Sequence, residues 1–297
     1  MKIHEEAISI NDESLYKKAK ESLERNSFAL VTEAYSSCEL ELITFLFRII
    51  EEEGPIRHPE WCSWKNDDLW AVRNVLELYP ELMKLTFTHR ALGVLPRILN
   101  APALCCGHTL MVKSPEQQSE SPETWHQDNG QIVDRHLGDD MDKGYSTPLK
   151  KRRLRRDVLN QMCEARIHIE EQTIENGCLH VIPGSANWES GEIDDSTSFE
   201  DFLSQVEDSK VQVEDFEPVA VPSPAGSILF MRPMIAHASG PCIRPAGEGT
   251  RRRVFQAEFI PKGLTPGDGS LFYPWTYPGE ITEKGVFFKH QDVLGGS

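Results

Sequence analysis

The chain has 297 residues, with 31 lysine and arginine residues against 47 aspartate and glutamate residues, so its formal net charge at pH 7 is −16. A chain this acidic is a poor candidate for non-specific nucleic-acid binding, which needs a basic surface. Hydrophobic residues make up 39% of the sequence, as in folded globular proteins, and no apolar run approaches the roughly 18 residues of a membrane span.

The N-terminal third of the chain is predicted to be rich in helices. Apolar residues recur at helical spacing over positions 12–25, 36–53, 67–79 and 80–99, and a short strand is predicted at 28–31. Asp12 and Ser14 are the two candidates for the N-cap of the first helix, because their side-chain oxygens can accept a hydrogen bond from a backbone N–H. We therefore expect a helix-rich support over residues 1–103.

From residue 104 onwards the pattern changes to short β-prone runs separated by turn residues. The predicted strands cover 104–113, 165–171, 178–182, 219–221, 227–230 and 253–260. This order predicts an α+β fold, a double-stranded β-helix (jelly roll) with the N-terminal helices packed on its major sheet. We expect one catalytic domain over residues 1–297, with the jelly-roll core at 104–262 and a C-terminal extension at 263–297.

Two long intervals between the predicted strands have features of their own. The interval 131–162 is predicted to be a functional loop or lid because of its length. Within it, the run KKRRLRR at 150–156 has six basic residues out of seven. This run is either a nuclear-import or anion-binding patch or a solvated surface segment, and we favour the surface segment. The acidic stretch 189–216 is predicted to hold a short helix near 199–205.

The cysteines and the N-terminus both favour a cytoplasmic location. Seven cysteines are present, an odd number without paired C-x-x-C spacing, which disfavours a disulfide framework and a thiolate zinc site. The adjacent Cys105 and Cys106 have apolar neighbours and are predicted to be core thiols. The acidic N-terminus lacks the charged-then-apolar layout of a secretory signal.

A candidate metal site lies in the sequence Glu-Thr-Trp-His-Gln-Asp-Asn-Gly at 123–130. Side chains at positions i and i+2 of a strand point to the same face, so His126 and Asp128 can reach one metal ion together. Two histidines and one carboxylate on one face of an octahedron form the triad of non-haem Fe(II) oxygenases. This segment therefore predicts an iron site that needs one further histidine.

The sequence contains a second H-x-D, at His290 and Asp292. A site built on a barrel needs another histidine on a later strand, and only five residues follow Asp292. His126, in contrast, is followed by His237 in a β-prone segment 111 residues later, since 237 − 126 = 111. We therefore assign His237 to the site of His126 and interpret His290 and Asp292 as tail residues.

An arginine-rich strand follows His237 and is suited to binding a dicarboxylate. The candidates are Arg251, Arg252 and Arg253, because a guanidinium binds a carboxylate through two parallel hydrogen bonds and stays charged when buried. On a strand, Arg252 shares one face with Val254, Gln256 and Glu258, whereas Arg253 shares the other face with apolar residues such as Phe255. If the lumen of the barrel is the polar side, Arg252 points into it. Ser239, two residues after His237, can contribute a hydroxyl to the same carboxylate.

In combination these segments resemble the phytanoyl-CoA dioxygenase family of Fe(II)/2-oxoglutarate-dependent oxygenases. The resemblance covers residues 105–260 and rests on Trp-His-Gln-Asp at 125–128, Glu-Asn-Gly-Cys-Leu-His-Val-Ile-Pro-Gly-Ser at 175–185, His-Ala-Ser-Gly-Pro at 237–241 and the arginines at 251–253. Lys-Ser-Pro at 113–115 is similar to the family's Lys-Pro-Pro. Two departures are the alanine at 186, where the family often has histidine, and the interval of 15 residues between His237 and Arg252, since 252 − 237 = 15.

The resemblance implies a complete cofactor site. It implies that the iron ligands are His126, Asp128 and His237, and that Arg252, Ser239 and Lys113 bind 2-oxoglutarate. Dioxygen is the second co-substrate. Trp125, Gln127 and His180 are candidates for the substrate pocket, with core positions as the alternative for Trp125 and His180. The Asn-Gly pair at 176–177 is typical of a tight turn and predicts a hairpin over 175–185.

The resemblance implies an Fe(II)/2-oxoglutarate-dependent dioxygenase that oxidises an unactivated C–H bond of a small molecule. The reaction is hydroxylation, desaturation or oxidative cyclisation, with release of succinate and CO2. We favour a free acid, an amino acid or a secondary metabolite as substrate, walled by the lid, the acidic stretch and the aromatic segment 272–279. The alternatives are a metal-binding jelly-roll protein without turnover and an oxygenase acting on a protein residue. We expect no nucleic-acid or membrane partner, and the oligomeric state is open between monomer and homodimer.

Overall fold

The computed structural model describes residues 2–65, 67–113, 124–128, 130–134, 150–188, 201, 204, 217–243, 251–265 and 279–288. The helices are α1 (Leu15–Asn26), α2 (Ser37–Arg57), α3 (Val75–Leu78), α4 (Leu82–Thr86), α5 (His89–Leu92), α6 (Leu95–Ile98) and α7 (Arg156–Leu159). Two short 3-10 helices lie at Pro59–Trp61 and Ser185–Asn187. The helices thus precede most of the strands, as the sequence predicts.

Most of the strands belong to two sheets. The strands are β1 (Lys2–Ile3), β2 (Ile8–Ser9), β3 (Phe28–Thr32), β4 (Cys62–Lys65), β5 (Asp68–Arg73), β6 (Ala103–Lys113), β7 (Gly130–Asp134), β8 (Lys150–Arg153), β9 (Cys163–His168), β10 (Leu179–Val181), β11 (Val219–Val221), β12 (Ile228–Met231), β13 (His237–Ser239), β14 (Arg252–Pro261), β15 (Gly279–Thr282) and β16 (Gly285–Phe288). The large sheet has the order β16-β15-β6-β14-β9-β12-β3-β2, with β5 on β6 and β4 on β5. The small sheet has the order β1-β11-β10-β13.

A first core cluster packs the N-terminal helices against one face of the large sheet. On α2, Ile43, Phe47 and Ile50 are fully or almost fully buried, and they pack in one cluster with Phe230 and Phe255 of the sheet. Helix α2 begins with a capping box, in which Ser36 and Glu39 satisfy each other's backbone N–H groups. The helices therefore cover one apolar face of the large sheet.

A second cluster fills the space between the two sheets. It contains Leu30 and Leu229 from the large sheet together with Leu179, Val181 and Val221 from the small sheet. The two sheets thus face each other across an apolar layer. Side chains of β9 and β14 that alternate away from the helices point into the same space.

The predicted helix over 67–79 is wrong at its start. Residues Asp68–Arg73 form β5, which pairs with β4 and, through Ala71–Arg73, with β6. The short apolar run Leu69–Val72 fits a strand as well as it fits a helix, and pairing with the long strand β6 decides between them. The helix that does form, α3, covers only Val75–Leu78.

The predicted hairpin over 175–185 is also wrong. The Asn-Gly pair lies in a turn, with Gly177 at φ 77° and the Asn176 side chain accepting from the backbone N–H of Thr173. The strands on either side, β9 and β10, lie in different sheets. The turn therefore carries the chain from one sheet to the other.

Parts of the predicted lid have regular structure. Strands β7 and β8 pair antiparallel, so the basic run begins in a strand, and α7 follows it. Residues 135–149, nearly all of the acidic stretch and the aromatic segment up to 278 lie outside the described residues, as do His290 and Asp292. No helix in the described ranges is long and apolar enough to cross a membrane.

Candidate metal centre

The backbone brings the three predicted metal ligands together. His126 and His237 form an antiparallel bridge in which each backbone N–H donates to the other's carbonyl oxygen at 3.0 Å. The N–H of Asp128 donates to the carbonyl of Pro233, in the turn before β13, at 2.8 Å. The segment 124–128 is thus fixed along β13 by backbone hydrogen bonds at two of its ligand positions.

The side chains of this triad converge on one point. Asp128 Oδ1 lies 3.9 Å from Nε2 of His126, and Asp128 Oδ2 lies 3.6 Å from Nε2 of His237. One ligand atom from each residue lies within 4.8 Å of the others. His237 is almost fully buried, whereas His126 and Asp128 are half-buried, so the site is open on one side.

Hydrogen bonds fix the tautomer of both histidines. Nδ1 of His126 lies 2.8 Å from the carbonyl oxygen of Thr124, and Nδ1 of His237 lies 2.9 Å from that of Ile235. A carbonyl oxygen only accepts, so each Nδ1 carries the proton and each Nε2 presents a lone pair to the site. Burial, together with the neighbouring His126, lowers the pKa of His237 to about 3, which keeps its imidazole neutral.

This set of donors fits Fe(II). Two neutral imidazole nitrogens and one carboxylate on one side of a metal ion, with the remaining positions open, are the donors of non-haem Fe(II) oxygenases. Bound Fe(II), with a 2-oxo acid on the open positions, supplies the activation of dioxygen. The chain itself supplies three oriented donors and an accessible side.

A cationic region lies beside the triad. Arg252 pairs with Lys113 across β14 and β6, and its guanidinium donates to Oε1 of Gln172 and to Oγ of Ser239 at 3.5 Å. Lys113 Nζ donates to the carbonyl of Gly240 at 2.8 Å. The structure thus places Arg252, Ser239 and Lys113 in one cluster, and Ser239 lies two residues after His237. Gln172 belongs to the same cluster and was not predicted from the sequence.

The other two arginines of the run have different partners. Arg253 is 7% exposed and forms ion pairs with Glu51 of α2 and with Glu170. Arg251 pairs with Glu51 at 2.6 Å. Both therefore connect the start of β14 to the helical layer, and of the three arginines Arg252 is the one that donates to Ser239.

Three further polar side chains of the inter-sheet space were not predicted from the sequence. Glu164 and Arg166 on β9 and Gln256 on β14 are each at most 6% exposed. Burial raises the pKa of Glu164 well above its usual range, and the carboxylates of Asp128 and Glu258 raise it further. A usable signal was present, because charged residues at alternate positions of the otherwise apolar strand 163–168 indicate a polar face.

His168 completes this polar face of β9. It is 2% exposed, and its Nδ1 has no hydrogen-bond partner in the described part of the chain. Burial, together with the cations Arg166 and Arg252, lowers the pKa of His168 well below its usual value. The imidazole is therefore neutral and lies near the cations Arg166 and Arg252.

The three candidates for the substrate pocket have different surroundings. Trp125 and Gln127 are buried, and Gln127 Nε2 donates to the carbonyl of Met234 at 2.6 Å, which helps to hold the metal-binding segment. His180 of β10 pairs with Ala220 and Ala238 in the two flanking strands. Because side chains alternate along a strand, His180 points to the opposite face of β10 from Leu179 and Val181. The structure therefore does not bring His180 together with the triad.

The family model for phytanoyl-CoA dioxygenase (PhyH) matches residues 60–246, which is more than half of the chain. The chain belongs to the phytanoyl-CoA dioxygenase family. This PhyH protein is therefore an Fe(II)/2-oxoglutarate-dependent dioxygenase. The matched residues include the triad and Ser239, whereas Arg252 lies beyond them.

Solved structures share the fold of this PhyH protein at low sequence identity. The alpha-ketoglutarate-dependent epimerase SnoN from nogalamycin biosynthesis has a TM-score of 0.58 and 15% identity, covering 87% of this chain and 92% of its own. The carbocyclase SnoK from the same biosynthesis has a TM-score of 0.59 and 19% identity, covering 85% and 87%. EctD from S. alaskensis, with 2-oxoglutarate and 5-hydroxyectoine, has a TM-score of 0.60 and 13% identity, covering 84% and 78%. No curated protein sequence is significantly similar to the chain.

Proposed function

We propose that His126, Asp128 and His237 bind the Fe(II) of this dioxygenase, and that Arg252 binds the distal carboxylate of 2-oxoglutarate with help from Ser239 and Lys113. The observation that carries the proposal is the convergence of three donor atoms within 4.8 Å, with both Nδ1 atoms held by backbone carbonyls. Binding is then largely preorganised, because neither imidazole has to change its tautomer or its orientation.

The residues of the chain have separate tasks in this proposal. The triad holds the metal at one end of the inter-sheet space, and Arg252 supplies two parallel N–H donors for a carboxylate at the other end. Gln172 and Ser239 orient the guanidinium. The buried apolar cluster between the sheets excludes water from the floor of the space, which strengthens the charge interactions there.

We propose that the substrate is a small metabolite whose unactivated C–H bond is hydroxylated, desaturated or used for ring closure. Support comes from the neighbours of similar fold, whose names describe an epimerase and a carbocyclase of nogalamycin biosynthesis and an enzyme bound to 5-hydroxyectoine. A free acid, an amino acid or a secondary metabolite remains our choice of class, in a cytoplasmic enzyme with no nucleic-acid partner.

We also propose that the two facing sheets form a double-stranded β-helix, within one catalytic domain whose helices support the large sheet. The apolar layer shared by the two sheets and the helices on the outer face of the large sheet support this arrangement.

Anaerobic reconstitution with Fe(II) and 2-oxoglutarate tests the proposal. We expect a metal-to-ligand absorption band that needs both components, a change in this band when a substrate binds, and succinate formation coupled to that substrate. His126→Ala and Asp128→Ala are expected to lose Fe(II) binding and succinate formation, whereas the exposed His89→Ala is expected to retain both. Full turnover and iron content in either triad variant would contradict the assignment.

The same screen separates the alternatives. Iron and 2-oxoglutarate binding without succinate formation in the presence of any metabolite favours a binding protein without turnover. Succinate formation that depends on a peptide favours an oxygenase for a protein residue.

A further inference from the structure

Helix α2 has apolar side chains on its solvent side. Leu42 and Phe45 are 50% and 61% exposed, Ile49 is partly exposed, and Cys38 is exposed as well. Single exposed apolar side chains are normal on a protein surface, whereas a contiguous group of them marks a site of interaction. These four residues form such a group if they are neighbours on the surface of the helix.

The spacing of the four residues places them in one line along α2. They are separated by four, three and four positions, which is the spacing of the a and d positions of a heptad. The residues Ile43, Phe47 and Ile50 lie on the opposite side of the helix and pack against the large sheet. Helix α2 therefore has one apolar face towards the sheet and a second one towards solvent, which we call the α2 seam.

Two charged side chains flank the α2 seam on one side. Glu41 and Arg48 directly precede Leu42 and Ile49, so both occupy the g position of the heptad. Both are exposed, and they lie about 10.5 Å apart along the helix axis, too far to form an ion pair with each other. Charges at such flanking positions select the partner and the orientation of a paired helix.

These charges fit a second copy of the same helix that runs antiparallel. If Leu42 of each copy packs against Phe45 of the other, Glu41 of each copy lies beside Arg48 of the other, because g positions face each other in an antiparallel pair. A shift by one heptad in either direction would place Arg48 beside Arg48, or Glu41 beside Glu41. One register therefore combines apolar packing with two contacts between opposite charges.

A parallel pair of α2 helices fits less well. The seam position after Ile49 is occupied by Glu52, which is exposed. Each seam residue of a parallel pair faces its own equivalent, so two Glu52 carboxylates would meet in the apolar centre of the interface, which is unfavourable. In the antiparallel register, Glu52 and Ile56 lie beyond the overlap of the two helices. The charge pattern therefore favours the antiparallel pair.

We propose that the α2 seam is a homodimer interface, in which the α2 helices of two copies of this chain pack antiparallel about a two-fold axis. Leu42 packs against Phe45 and Glu41 pairs with Arg48, each contact occurring twice, as a self-complementary interface requires. Two heptads of helix give a small interface, below about 1,200 Å² in total. The dimer therefore dissociates readily, with a dissociation constant of about 1–100 μM.

The α2 seam lies on the outer side of the helical layer. The triad lies in the space between the two sheets, on the other side of the large sheet. Dimerisation through α2 therefore does not depend on the proposed metal centre, and it is measured without metal or co-substrate.

Sedimentation velocity of the full-length protein at a series of concentrations tests the interface. We expect the sedimentation coefficient of the wild type to rise from that of a monomer to that of a dimer between about 1 and 300 μM. Phe45→Glu places a charge in the apolar seam and is expected to weaken dimerisation at least about tenfold. Ile56→Glu is the matched control, because Ile56 is an 82% exposed apolar residue of the same helix outside the overlap. We expect it to stay within about twofold of the wild type.

A charge exchange tests the antiparallel register. Arg48→Glu places a glutamate beside Glu41 of the other copy and is expected to weaken dimerisation about threefold or more. The double variant Glu41→Arg/Arg48→Glu restores opposite charges with their positions exchanged. We expect its dissociation constant to return to within about twofold of the wild-type value, and the effect of the single variant to decrease at high salt.

Each result supports or overturns a stated part of the proposal. A wild type that stays monomeric over the whole range, or a dimer that Phe45→Glu does not weaken, would overturn the interface, as would equal effects of Phe45→Glu and Ile56→Glu. Failure of the double variant to restore the affinity lost in Arg48→Glu would overturn the antiparallel register. Circular dichroism checks that each variant is folded, and Leu42→Gln replaces Phe45→Glu, with the same expected loss, if that variant is not.

Discussion

At the residue scale, the two metal-binding histidines share a local device. In each, the ring Nδ1 is held by the carbonyl oxygen of the residue two positions earlier, Thr124 for His126 and Ile235 for His237. The backbone carbonyls of the two bridged segments thus set the tautomer of both rings. Asp128 is held instead at its backbone N–H, which donates to the carbonyl of Pro233.

The choice among the three arginines is a prediction at this scale. Arg252→Lys is expected to raise the KM for 2-oxoglutarate about 10- to 100-fold, because an ammonium cannot form the two parallel hydrogen bonds of a guanidinium. Fe(II) affinity is expected to change little, since Arg252 is not one of the proposed metal ligands. Steady-state kinetics with varied 2-oxoglutarate measure the effect.

Arg251→Lys serves as the control for that experiment. Arg251 is an adjacent arginine whose side chain is 48% exposed and pairs with Glu51, on the side of the helices. An equal rise in KM in both variants would contradict the assignment of Arg252.

At the element scale, α2 is joined to the sheet by buried charge as well as by apolar packing. Glu51 near its C-terminal end has a side-chain exposure of 6% and pairs with Arg253 of β14 and with Arg251 just before this strand. Arg253 also pairs with Glu170, which follows β9. This network ties one helix to the two strands that carry Arg252 and Glu164, so its loss affects the scaffold of the site.

Glu51→Gln is expected to destabilise the protein by about 1–3 kcal/mol, because it removes one partner of a buried charge and leaves Arg253 with Glu170 alone. Urea denaturation measures the change in the free energy of unfolding. Glu52→Gln, at the next position of α2 with an exposed side chain, is expected to change it by less than about 0.5 kcal/mol. Equal effects of the two substitutions would show that the network adds nothing to stability.

At the scale of the whole molecule, buried histidines make stability depend on pH. Burial lowers the pKa of His108 to about 3, and Nδ1 of His108 accepts from the backbone N–H of Leu76 at 3.3 Å, which requires a neutral ring. The unfolded chain binds this proton near pH 6.5. Below that pH the unfolded state binds more protons than the folded state, so stability falls as the pH falls towards about 3.

The expected slope for His108 in this window is about 1.4 kcal/mol per pH unit. In the metal-free protein, His108→Gln keeps an acceptor for Leu76 and is expected to reduce the slope of unfolding free energy against pH by that amount between about pH 6 and pH 4. Urea denaturation at a series of pH values measures it. The exposed His89→Gln is the control, and a wild-type slope in His108→Gln would contradict the prediction.

The sequence predicted the positions of the strands well and the connections between them less well. Val219–Val221 forms a strand at the predicted positions, and the predicted strand at 104–113 differs from β6 by one residue. These runs are long or β-branched enough for local pattern to decide. The strand β5 and the hairpin over 175–185 were mispredicted, because pairing with β6 and the crossover between sheets are long-range features that local spacing does not contain.

The sequence by itself determined which residue types are available for the chemistry, and in what order along the chain: an H-x-D, a later histidine and an arginine-rich strand. Only the tertiary structure decided how they are combined. The helices cover one face of the large sheet, so strand alternation sends Arg253 to Glu51 and Arg252 to Ser239. The register of β9 against β14 likewise places Arg166 beside Gln256, to which it donates a hydrogen bond. Alternation defines two faces of a strand, and packing against the rest of the molecule determines which of them is the site.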